Sequence, residues 1–153
     1  MIYSELNDYL SYNGDTWYES PSRTNRKHPY ARIANYRDQP FIVGGSDSGN
    51  TMTERLNSIG IWEKTNEWPF SNRIYNYATV SGLYDRYKND YILIIGGQTG
   101  EENEHAQSDR IAKFADGLSK WSIVGHLQQP RHGHSAIQNA KNQILIVGGD
   151  DLR

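Results

Sequence analysis

Tyr91-Ile92-Leu93-Ile94-Ile95-Gly96-Gly97 is the run of residues from which the architecture follows. It occurs twice more in looser form, as Phe41-Ile42-Val43-Gly44-Gly45 and as Ile144-Leu145-Ile146-Val147-Gly148-Gly149. The glycine pairs lie 52 residues apart in both steps. Each run is short and rich in β-branched side chains, which marks a strand. None alternates apolar with polar, so each strand is expected to be covered on both faces. Glycine tolerates φ > 0 and close backbone approach, so a pair at a strand end marks a sharp or crowded exit. A single run of this kind is a common hairpin end. Three at one interval imply a repeated structural unit.

The tryptophans give a second, independent repeat. Trp17, Trp68 and Trp121 precede their glycine pairs by 27, 28 and 27 residues. Tyr12, Trp62 and Phe114 stand a short way before them. Between these markers the chain reads as short strands and turns. Tyr9 to Tyr12, Tyr30 to Asn35, Leu56 to Trp62, Ile74 to Val80 and Ile111 to Phe114 are expected strands. Asn13-Gly14, Glu63 to Glu67 and Asp116-Gly117 are expected turns, and Ser81 to Asp90 is an expected long turn. Gln98 to Arg110 reads as an acidic loop with room for one helical turn, and no segment has a convincing helical period.

Composition narrows the classes. At 153 residues the chain suits one domain. Its net charge of −2 offers no electrostatic case for nucleic acid or an anionic membrane. Without cysteine there is no disulfide, thiolate metal site or cysteine nucleophile. The first residues lack a basic segment followed by an apolar one, and the longest apolar run is five residues, far short of a bilayer span. A cytoplasmic protein is expected. Tyr and Trp supply 15 of the 18 aromatics while aliphatic side chains are scarce, so large rings must fill much of the core. Each such ring buries ~150–250 Å², roughly 4–6 kcal/mol as an upper bound.

The glycines do not form a nucleotide loop: Gly44-Gly45-Ser46-Asp47-Ser48-Gly49 does not fit G-x-G-x-x-G, and no P-loop pattern occurs. The recurring order instead resembles the kelch repeat. Pro130-Arg131-His132-Gly133-His134-Ser135-Ala136-Ile137 followed by Ile144 to Gly149 is the fullest match. Ile61-Trp62-Glu63-Lys64-Thr65-Asn66-Glu67-Trp68 is close, with Trp62 where the family usually has Tyr. The resemblance runs from about residue 9 to 149. It implies an all-β fold of kelch-type β-propeller blades, each a four-stranded antiparallel sheet. The domain then holds a half blade at 9–18, blades at 27–70 and 73–123, and a half blade at 131–149. Gly44, Gly45, Gly96, Gly97, Gly148, Gly149, Trp17, Trp68 and Trp121 would be the structural repeat, with the indoles packed between blades. Three blades are too few to close a ring, since closed propellers have about 4–8. The chain is then part of a longer propeller, or copies of it assemble, or its ends stay open; open blade faces would expose apolar surface and favour self-association.

The resemblance also implies where partners meet the chain. In kelch-like propellers these are the loops after the glycine pair and before the first strand. The candidates are Ser46, Gln98 and Asp150 after the pairs, Lys27, Arg73 and Arg131 before the first strands, and Tyr75 and His132 just inside. Arg and Tyr are common interface anchors; the plainer role for each is a solvated or turn-fixing residue. His132 and His134 form an H-x-H pair without a third ligand at recognisable spacing, so no metal is expected. Glu101, Glu102, Glu104, His105 and Asp109 lack the order of a calcium loop. Asn25-Arg26-Lys27-His28 is too short a basic cluster for nucleic acid. No catalytic motif is present, and no cofactor is expected. The expected function is a non-catalytic scaffold that binds a protein or peptide through its rim loops. The alternative is a carbohydrate-acting enzyme or lectin-like propeller, of the kind that includes sialic-acid epimerases.

Overall fold

The computed structural model describes residues 10–12, 14–19, 22–100, 106–115 and 120–150, with 10–12 and 17–19 described by their backbone alone. In chain order the strands are β1 (Leu10–Tyr12), β2 (Trp17–Glu19), β3 (Ile33–Tyr36), β4 (Gln39–Val43), β5 (Thr53–Leu56), β6 (Trp62–Lys64) and β7 (Ala78–Tyr84). They continue as β8 (Asp90–Ile95), β9 (Gln98–Thr99), β10 (Ala106–Gln107), β11 (Arg110–Phe114), β12 (Trp121–His126), β13 (Ser135–Gln138) and β14 (Ile144–Val147). The fold is all-β and antiparallel. Sheet I has the order β3-β4-β5-β6, and sheet II the order β7-β8-β11-β12. β1–β2, β9–β10 and β13–β14 are two-stranded. Among the described residues there is no helix, and so none long and apolar enough to cross a membrane.

The unalternating run of β8 is explained by burial on both sides, whereas Leu145 and Val147 leave one face of β14 exposed, against expectation. Ile92 and Ile94 of β8 pack with Ala34, Tyr36, Phe41 and Val43 of sheet I. Leu93 and Ile95, on the opposite face, pack in a second core against Ala136, Ile144 and Ile146 of the last hairpin. Sheet II is thus a filling between sheet I and β13–β14. Rings dominate the first core, as the shortage of aliphatics requires. Phe41, Phe114 and Trp121 stack with centroids 4.6–6.4 Å apart, and Trp68 meets Trp121 edge-on at 5.1 Å and 79°. Such pairs contribute about 0.5–1.5 kcal/mol beyond the area they bury. The Trp121 indole also donates to the Asn66 carbonyl at 3.1 Å, and that of Trp68 to Ser71 Oγ at 2.9 Å.

The structure corrects the tryptophan register. Tyr12↔Trp17, Leu56↔Trp62 and Phe114↔Trp121 are equivalent cross-strand pairs. Trp62, not Trp68, therefore opens a fourth strand as Trp17 and Trp121 do. The side chain of Trp17 lies outside the described residues. The cause is a displaced turn. Asn57 Oδ1 accepts the amides of Ile59 and Ile61 at 3.1 and 2.9 Å, and Gly60 has φ +81°. This bends the chain at 57–61, six residues before the expected turn, and leaves Ile59 and Ile61 exposed. Trp68 falls on the link between sheets, where it still fills the first core.

Two other expectations shift. The expected strand Ile74 to Val80 begins only at Ala78 and runs on to Tyr84, because Ile74 and Tyr75 make isolated bridges to Gly45 and Gln98 instead. The expected loop Gln98 to Arg110 is closed at its ends by β9–β10. Residues 101–105 and the Asp116-Gly117 turn lie outside the described residues.

Candidate functional site

The segments before each first strand and after each glycine pair form one continuous belt. Within a repeat, the residue after the glycines donates back to the lead segment. Ser46 N donates to Pro29 O at 2.9 Å, Gln98 N to Tyr75 O at 2.8 Å, and Asp150 N to His132 O at 3.0 Å. Between repeats, the second glycine donates forward, from Gly45 N to Ile74 O at 2.9 Å and from Gly97 N to Arg131 O at 2.8 Å. A second rung joins Asn76 N to Tyr30 O and Gly133 N to Asn76 O, both at 2.9 Å. Tyr30, Asn76 and Gly133 share a left-handed backbone, with φ of +58°, +52° and +66°. That conformation is uncommon for Asn and an outlier for a bulky Tyr. Sequence reasoning missed this ladder; Asn76 and Gly133 carry its only local signal.

The glycine pairs make the belt possible. A Cβ on Gly44 would lie 2.5 Å from Ile74 O, and one on Gly96 would lie 2.7 Å from Arg131 O. Gly44 and Gly96 thus abut the backbone of the next repeat. Ile74 and Arg131 are therefore equivalent positions. Arg73, which the sequence aligns with Arg131, sits one residue earlier.

The belt brings the expected rim residues together but uses several internally. Arg73 is buried, donates from Nη1 to Ser46 O at 2.8 Å, and lies 5.4 Å over the Tyr75 ring. Tyr75 and Gln98 are also buried, and Gln98 Oε1 accepts from Asn76 Nδ2 at 2.8 Å. Ser46, Arg131 and His132 are half-buried, while Lys27 and Asp150 are exposed. Arg131 Nη1 donates to Gly148 O at 3.0 Å. Gln107 Nε2 donates to His132 Nδ1 at 2.9 Å and to Asp150 O at 3.1 Å, which puts the His132 proton on Nε2. His134 is buried against Gly96. Burial, and then the charge of Arg131, holds its imidazole below the usual histidine range. Tyr30, exposed beside Tyr75 at a centroid distance of 6.5 Å, belongs to the same stripe although the sequence did not single it out.

A buried polar lock anchors one end. The fully buried Glu54 carboxylate accepts Asn25 N and Asn25 Nδ2 at 2.7 Å, Arg26 N at 3.0 Å and His28 Nε2 at 2.9 Å. His28 Nδ1 faces Gly44 O, so both ring nitrogens sit against acceptor oxygens. Burial pushes the Glu54 carboxyl up. The bonds from His28 and Asn25 outweigh it and hold the group below the usual carboxylate range. Asn25, His28 and the Arg26 amide are thus occupied in fastening the belt to sheet I, while Lys27 stays exposed.

No family model matches this sequence, and no curated protein matches it. Solved structures do. That of YjhT superposes with a TM-score of 0.70 at 18% identity, over 94% of this chain and 44% of the other. This chain spans less than half the length of that protein, and the likeness at this identity is one of fold.

Proposed function

We propose that this chain is a run of kelch-type β-propeller blades that acts as a non-catalytic interaction module, binding a protein or peptide across the belt. The observation that carries the reading is the belt's continuity. Backbone hydrogen bonds fix the loop segments of all three repeats into one stripe with Lys27, Tyr30 and Asp150 exposed along it. Loops held by a rigid scaffold suit recognition, because little ordering entropy remains to be lost on binding. An exposed Tyr near a cation in the first repeat, with a carboxylate further along in the third, suits a polypeptide partner, offering a ring to pack and charges to pair.

Selection of a phage-displayed peptide library against the chain tests this. Enriched peptides are expected to bind at least about tenfold more weakly to Tyr30→Ala and Lys27→Ala variants with unchanged melting temperatures, a loss of about 1.4 kcal/mol. Failure to enrich peptides, together with a glycan-array signal abolished by Arg131→Ala, would favour the carbohydrate-binding alternative instead.

A further inference from the structure

Three faces of this molecule are chemically equivalent, and the third is uncovered. Cross-strand pairing aligns Ala34-Phe41, Val80-Leu93 and Ile137-Leu145, with Val43, Ile95 and Val147 two residues further along each glycine-pair strand. Ala34, Phe41 and Val43 are buried against sheet II. Val80, Leu93 and Ile95 are buried against β13–β14. Ile137, Leu145 and Val147 are 63%, 47% and 68% exposed.

The glycines repeat the pattern. Gly44 and Gly96 each abut a carbonyl of the following repeat, whereas Gly148, with φ +75°, has nothing within 4 Å. The ends are also complementary halves. In sheets I and II the glycine-pair strand pairs with a third strand, β4 with β5 and β8 with β11. Among the described residues, β14 has only β13 beside it, and β1 has only β2. The pair Tyr12↔Trp17 matches Phe114↔Trp121, so β1–β2 is a third-and-fourth-strand hairpin and β13–β14 a first-and-second one.

We infer that a second copy of this chain covers that face, its β1 pairing antiparallel with β14 so that each copy completes the other's half sheet. This rests on the blade reading of the fold. Two copies of these 153 residues would supply six blades, within the about 4–8 that close a propeller, so the head-to-tail contact ends in a ring. YjhT, whose chain is a little more than twice as long, accommodates nearly all of this one in under half its length. The partner's sheet I would present Ile33, 55% exposed and equivalent to Ala136, to the uncovered Ile137, Leu145 and Val147.

The register is specific. Ile92 lies opposite Phe114 and Leu93 opposite Lys113, which places Ile144 opposite the partner's Tyr12 and Leu145 opposite the partner's Ser11. Facing residues have Cα atoms about 4.5–5.5 Å apart, inside the range a disulfide spans. Because the chain has no cysteine, Ser11→Cys with Leu145→Cys reports this contact alone.

Sedimentation equilibrium of the chain should give twice 17.5 kDa. The double-cysteine variant should oxidise to a covalent dimer, and neither single variant should do so through this contact. Leu145→Asp with Val147→Asp should weaken association by about a hundredfold, because the new charges would be buried. Its β-sheet circular dichroism should not change, since both positions are exposed in the single chain. A monomeric wild type would overturn the inference, leaving further repeats or another protein as the occupant. So would a dimer in which the cysteine pair fails to cross-link or closes within one chain. These outcomes read mass and covalency, so they stand apart from the peptide-binding test.

Discussion

Trp68 shows how much a single side chain holds in a core short of aliphatics. It is buried between the sheets, edge-on to both Phe70 and Trp121. Trp68→Ala should cost about 3–5 kcal/mol, because rings braced from two sheets cannot collapse into the space left behind. A thermal melt within a degree of wild type would remove Trp68 from the inter-sheet contact. The sequence marks this residue as structural, and its burial agrees. Its place in the repeat was not legible, because equal spacing along the chain does not distinguish a strand residue from one on a link. The Asn57 turn settles that point, and an Asx turn is weaker in sequence than the Asn-Gly and Asp-Gly signals read elsewhere. Tyr77 is another ring with a fixed task. Its hydroxyl lies 2.7 Å from Val43 O and 3.1 Å from Arg32 O, tying sheet II to sheet I, and burial pushes the phenol well up.

At the scale of the element, the strand ending in two glycines does two jobs. Its apolar run separates two cores, and its glycines let the next repeat's backbone cross. Gly96→Ala should therefore cost more than the 1–3 kcal/mol of left-handed strain alone, since its Cβ would also strike Arg131 O and His134 Cε1, both at 2.7 Å. Gly148→Ala meets nothing in the single chain, so only the strain should register in the melt of the monomer. Measuring both melts at a protein concentration too low for association checks the contrast. Equal losses would mean that close approach is not why glycine stands at the first position. The strand was legible from its β-branched run, and so was the coverage of β8, but not the exposed face of β14, whose run reads the same. The belt was not, since its rungs join residues about 17 to 57 apart through backbone groups that carry no side-chain signature.

For the whole molecule, stability should fall with acid in two stages. His134 lies below its ordinary 6.5 because of burial, so the unfolded chain takes up the proton first. Its contribution is present above about pH 6.5 and is lost as pH falls toward the folded value. Glu54 lies below 4.5, so its contribution is present above that pH and is lost as pH drops through its folded value. Asp85 is held below its ordinary 3.8 by Asn89 on an exposed turn. Melting temperatures across pH 3.5 to 8 should be flat above 7, decline below 6.5 and decline again below 4.5. No change between pH 7 and 5 would exclude the His134 stage. Most expected rim positions do meet along one belt, but their accessibility could not be read from the chain. Arg73, Tyr75 and Gln98 are buried by loops that fold over them, while Tyr30 emerges through a left-handed turn. The amino-acid sequence by itself determined the all-β class, the repeated strands and the need for glycine at their ends, because these follow from residue size, branching and periodicity over a few neighbours. Only the tertiary structure decided which indole shares a register, which polar groups are spent inside and which apolar face stays open, because each depends on how distant segments cross.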